Sequence, residues 1–144
     1  MYKRKITYKN FDGDEVTETL AFNLSETELL DLSEEDVMFS ASFLKRVSEE
    51  QDPAVMFRVL RKVIALSYGE ITTDGKRFMK SPEIMNGFLH SAAYDALIRE
   101  LVTSDNIDDV SNMLIGIFPE HFRSELVKAN NETIAKIGAT PAGN

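Results

Sequence analysis

Apolar positions change their spacing once along the chain, from alternate residues near the N-terminus to every third or fourth residue beyond it. Tyr2, Ile6 and Tyr8 alternate with Lys3, Lys5 and Thr7; after NFDGDE the alternation returns as Val16, Leu20 and Phe22 against Thr17, Thr19 and Ala21. A period of two predicts strands with one buried face, so residues 1–24 read as a β-hairpin. Register decides between two turns. A two-residue Asp12-Gly13 turn would set Tyr8 opposite Thr17 and divide the apolar sets between the faces. A three-residue loop of Phe11, Asp12 and Gly13, with Gly13 left-handed at a G1 bulge, sets Tyr8 opposite Val16 and Tyr2 opposite Phe22. The second loop is expected, because it gathers the apolar side chains on one side. A two-stranded hairpin alone is marginal in water. The face formed by Tyr2, Ile6, Tyr8, Val16, Leu20 and Phe22 must therefore cover helices of the same chain or serve self-association with another copy.

Beyond residue 24 the period is helical. Ser25 with Glu28 makes a capping box ahead of Leu29, Leu30 and Leu32, and Ser33 followed by Glu34, Glu35 and Asp36 predicts a second helix start. Asp52-Pro53 supplies an N-cap and an N1 proline for a helix carrying Val55, Met56, Val59, Leu60, Val63 and Ile64, with Arg58, Arg61 and Lys62 opposite. Residues 67–80 break the period around Asp74-Gly75, which predicts a short β-like turn. Ser81-Pro82-Glu83 restarts a helix that bends or breaks near His90-Ser91. Ser104 with Asp105 and Asp108 opens another, which stops before Pro119, and a weaker helix follows through Phe122, Leu126, Ile134 and Ile137. The expected fold is α+β and mainly α-helical: an N-terminal hairpin followed by about five to six helices. Residues 1–137 are expected to form one domain, and residues 138–144 a flexible C-terminal tail.

Composition narrows the function classes. With 144 residues, 43% of them hydrophobic, the chain is of the size of one domain and can build one core. There is no cysteine, which removes disulfides and thiolate chemistry and agrees with a reducing compartment. No apolar run approaches eighteen residues, and the basic N-terminus lacks an apolar h-region, so neither a membrane nor secretion is expected. The net charge of −8 is unevenly laid out: residues 25–52 hold nine acids against two bases, and residues 53–80 six bases against two acids. Adjacent helices of opposite charge pair with one another, and so offset a basic block is a poor phosphate surface, so nucleic acid is not an expected partner. The two histidines, His90 and His121, have no acids at ligand spacing, and no G-x-S-x-G, H-E-x-x-H or phosphate loop is present. No catalytic, metal or cofactor site is expected.

The stretch ITYKNFDGDEVTETLAFNLSETELLDL, in which a hairpin runs into F-N-L-S-x-x-E-L, comes first. YGEITTDGKRFMKSPEIMNGFLHSAAYDALIRELV and then MLIGIFP follow it. Together they resemble the tail assembly chaperones of long-tailed, siphovirus-type bacteriophages and prophages. The likeness covers residues 5–119, and the D-G-K-R-F-x-K-S turn followed by S-x-A-Y-x-x-L is its most specific part. It implies a non-enzymatic protein of the host bacterial cytoplasm that acts during virion assembly and is absent from the mature virion. The implied partners are the tape measure protein, which it would keep soluble, and the tail tube protein, whose subunits it would recruit. A longer frameshifted form of itself and a homo-oligomer are further partners within that expectation. The competing reading is a structural tail component, a tube or connector subunit retained in the virion. A client would meet an apolar stripe, and the candidate is Ile107, Val110, Leu114, Ile117 and Phe118, continued by Phe122 and Leu126; the same spacing also suits the domain's own core.

Overall fold

A computed structural model describes residues 1–50, 52–103 and 107–120 of the chain. The N-terminal hairpin pairs β1 (Tyr2–Lys9) with β2 (Glu15–Phe22), antiparallel. Its register is the three-residue-loop one: Tyr8 lies opposite Val16 and Tyr2 opposite Phe22. The Asn10 N–H donates to the Asp14 carbonyl at 2.9 Å and the Gly13 N–H to the Asn10 carbonyl at 3.0 Å. Gly13 closes the loop at φ +87°, a conformation that a Cβ disfavours.

Then come α1 (Glu26–Glu35), a single 3-10 turn at Val37–Phe39, α2 (Ala41–Glu50) and α3 (Pro53–Ser67). The capping box of α1 is complete: the Glu28 N–H donates to Ser25 Oγ, and the Ser25 N–H to Glu28 Oε1, both at 3.1 Å. Ser33 does not start a helix. It stays inside α1, where its hydroxyl donates to the Leu30 carbonyl at 2.7 Å, and Asp36 is the residue that caps the 3-10 turn, accepting from the Met38 N–H at 2.9 Å. The acids Glu34 and Glu35 thus end one helix instead of opening the next.

Asp52 and Pro53 open α3 as expected, and Met56, Val59, Leu60, Val63 and Ile64 are buried along one side. The chain passes without a loop from α3 into β3 (Tyr68–Ile71), which turns through Asp74-Gly75 into β4 (Phe78–Met79). The excursion at residues 67–80 does more than turn. β3 pairs antiparallel with the end of β2, Phe22 opposite Tyr68, so the sheet has four strands in the order β1-β2-β3-β4. Gly69 is required in β3: a Cβ there would lie 2.6 Å from the Phe78 ring and 2.8 Å from the Met79 carbonyl oxygen.

Ser81 caps α4 (Pro82–Leu89), the chain breaks at His90-Ser91, and α5 (Ala92–Thr103) follows with the Tyr94 N–H donating to Ser91 Oγ at 3.2 Å. The last described helix is α6 (Ile107–Ile117), which ends before Pro119. The weaker helix expected after it and the tail at 138–144 lie outside the described residues. One side of the hairpin rests on α5 and α6, and α3 packs on α6 from beyond. Phe22, fully buried, is the junction: its ring lies 6.3 Å from Tyr2, 5.8 Å from Tyr68 and 6.0 Å from Phe88, and the rings of Tyr68 and Phe88 stack at 3.9 Å. Edge and stacked geometries at such separations add to the area the rings bury.

Candidate functional site

The structure brings the two apolar stripes singled out in the sequence into one core. Ile6 and Leu20 are 2% exposed, Val110 2%, Leu114 8%, Ile117 1% and Phe118 2%. Tyr2, Tyr8 and Val16 are half-buried against the same cluster or at its margin. Among the described residues, the buried part of the hairpin face is thus covered by α5 and α6 of its own chain, and the buried part of the α6 stripe by the hairpin and α3. The side chain of Ile107, together with Phe122 and Leu126, lies outside the described residues.

Two charges, Arg4 and Glu18, stand on the hairpin's inner face where the alternation calls for apolar residues, and Arg4 is the one drawn into the helices. Its Nη2 donates to Glu100 Oε1 at 2.7 Å and to Asp109 Oδ2 at 3.1 Å, and its Nη1 donates to Asp109 Oδ1 and the Tyr2 hydroxyl, both at 3.1 Å. Burial works against the charge, but the bonds to Asp109, Glu100 and Tyr2 outweigh it and raise the guanidinium pKa. Among the described residues, Arg4 Nε is the one buried side-chain nitrogen or oxygen without a hydrogen-bond partner. The clamp fixes the hairpin to α5 and α6 at once.

Two further ion pairs join the acidic and basic blocks, Lys62 to Asp36 and Lys80 to Glu28. Lys80 Nζ also donates to the Asn23 carbonyl at 2.8 Å. The Lys62 bond and the Met38 N–H hold the Asp36 carboxyl below its ordinary range. For Glu28, burial pushes upward, but the Lys80 and Ser25 bonds prevail and the pKa is lowered.

The exposed relief lies on the other side of the clamp. A groove of about 770 Å³ runs between the β1 end of the hairpin and α5, lined by Tyr8, Lys9, Phe11, Ala92, Ala96 and Arg99 among others. Phe11, at the hairpin tip, is 84% exposed. Arg99 and Asp95 pair on its helical wall at 2.5 Å, both largely in solvent. A shallower hollow beside it carries Glu18, Glu70 and Glu83 around Tyr68, with the Tyr8 hydroxyl donating to Glu18 at 3.0 Å. Burial and then the nearby Glu70 and Glu18 push the Tyr68 phenol pKa up. Sequence periodicity does not point to the groove. Ala92 and Ala96 are unremarkable in a helix and Phe11 reads as a turn residue; only an aromatic at a hairpin tip, where solvent is certain, is a signal.

Among the described residues no group of three His, Asp or Glu side chains could hold a metal ion, and no helix is long and apolar enough to cross a membrane. The model of a protein family described as phage tail assembly chaperone matches residues 1–140 of the chain. The chain belongs to that family. The match spans the hairpin, all six described α-helices and most of the residues beyond them. No curated protein and no solved structure matches the chain. A chaperone role in phage tail assembly follows for this chain from the family.

Proposed function

We propose that the chain binds the tape measure protein during tail assembly, keeps it soluble and helps to recruit tail tube subunits to it. In this reading it is non-catalytic, acts in the host cytoplasm and is absent from the mature virion. The observation that carries it is the family match over residues 1–140. The surface is compatible with holding a long, aggregation-prone client. Leu30, Val37 and Phe11 are 66%, 69% and 84% exposed, and they offer apolar contacts dispersed among charges instead of one sticky patch. The charge of −8 keeps a complex soluble by self-repulsion. Mass spectrometry of purified virions tests the assembly-stage part: no stoichiometric copies are expected, and their presence would make the chain a structural tail component instead.

A further inference from the structure

β1 ends the sheet that the described residues form. Among the described residues β1 pairs with β2 alone. The Asn10–Asp14 bond fixes which backbone groups face which way. Because antiparallel pairs alternate, Tyr8, Ile6, Arg4 and Tyr2 exchange their N–H and C=O groups with β2, while those of Lys3, Lys5, Thr7 and Lys9 point away from the sheet. The side chains of these four residues are exposed on the hairpin's outer face. Across the ladder from Lys3 and Lys5 stand Ala21 and Thr19, so no acid answers them there, and among the described residues neither lysine has an ion-pair partner. On the inner side, the groove bounded by Tyr8, Ala92 and Ala96 runs beside the far end of the strand, at Thr7–Lys9.

We propose that the β1 edge takes an extended segment of a partner protein as an added strand, with carboxylates on one face and small aliphatic side chains on the other. The ladder groups at Lys3, Lys5, Thr7 and Lys9 would hold its backbone. Its acids would stand beside Lys3 and Lys5, which, unlike Lys9 opposite Glu15, face no acid across the ladder, and its alternate side chains would enter the groove over Ala92 and Ala96. A second copy of β1 is the wrong occupant, since it would bring lysines against lysines; lysine on an edge strand is a device against such self-pairing. The lysines admit an acidic strand and reject a basic one. This rests on the reading of the chain as a binding protein, but not on which tail protein is bound.

Titration of the full-length, ¹⁵N-labelled chain with a blocked heptapeptide of alternating glutamate and valine tests it. Saturable shifts at the amides of Lys3, Lys5, Thr7 and Lys9 are expected. A lysine-valine heptapeptide should bind at least tenfold more weakly, and a Lys3→Glu, Lys5→Glu variant should invert that order. In an antiparallel added strand the residues on the lysine side exchange the hydrogen bonds, so N-methylation of the glutamates should abolish binding and N-methylation of the valines should not. No saturable shift at the four amides, equal binding of both peptides, or indifference to glutamate N-methylation overturns the proposal. Because the probes are synthetic, any of these would leave the tape measure reading to its own test.

Discussion

Arg4 and Asp109, 105 residues apart in sequence, meet as a fork: both terminal guanidinium nitrogens lie 3.1 Å from the two carboxylate oxygens. The pair ties the first strand to the last described helix, with the Arg4 side chain only 13% exposed. Arg4→Ala removes charge-assisted bonds and leaves Asp109 without its partner. It should lower stability by about 1.5–3 kcal/mol. Glu100 is half-exposed, and Glu100→Gln should cost no more than about 1 kcal/mol. Urea unfolding of the two variants checks the order, which equal losses would contradict.

Gly69→Ala should act through the β3–β4 strand pair. The new methyl group would have to displace both an aromatic ring and a backbone oxygen, and the second cannot yield without moving β4. The expected loss is about 1–3 kcal/mol. In hydrogen exchange, the amides of Glu70 and Met79, which form the hydrogen-bonded pair next to Thr72 and Arg77, should lose protection first; uniform loss across the sheet would argue against a local clash.

Acid should loosen the joint between α1 and the start of α4. The carboxyl groups of Glu28 and Asp36 have folded-state pKa values lowered by Lys80 and Lys62. A lowered folded-state pKa gives stability that is present above the unfolded value and lost as pH falls through the folded one. The urea midpoint should therefore hold at neutral pH and fall below about pH 4, the unfolded carboxylate range. Glu28→Gln should flatten part of that slope and lower the neutral-pH midpoint, since the lost pair with Lys80 also weakens the capping box. A slope unchanged in Glu28→Gln would show that other carboxylates carry it.

Leu114→Asp should unfold the protein before it tests any binding surface. The side chain is 8% exposed in the core. Leucine truncation alone costs about 2–5 kcal/mol, and an unpaired buried carboxylate adds to that. Circular dichroism should show loss of helix in Leu114→Asp and none in Lys5→Glu. A folded Leu114→Asp would mean that α6 is free to present its apolar stripe after all.

The local features of the fold were legible because each is decided by neighbours in sequence. Gly13 and the alternation around it fix the hairpin register; Ser25 with Glu28, Asp52-Pro53 and Ser81-Pro82 mark helix starts; His90-Ser91 marks the break between α4 and α5. What sequence could not supply is partnership at a distance. The pairing of Phe22 with Tyr68 joins residues separated by three helices. Arg4 contradicts its strand's pattern unless Glu100 and Asp109 are known to stand beside it. The stripe of Val110, Leu114, Ile117 and Phe118 reads the same whether it faces a client or β1, and only the closed core distinguishes them. Ser33 failed for a local reason, since a serine inside a helix can satisfy its hydroxyl on the carbonyl three residues back. The groove beside Phe11 is made by two elements whose separate patterns carry no mark of it.

Co-expression with a phage tape measure protein tests whether the chain acts as that protein's chaperone. The client's soluble fraction and its co-purification are read with and without the chain. The tape measure protein is expected to remain soluble and to elute with the chaperone, and to aggregate in its absence. Identical behaviour of the tape measure protein in both cases would rule out a chaperone role toward it.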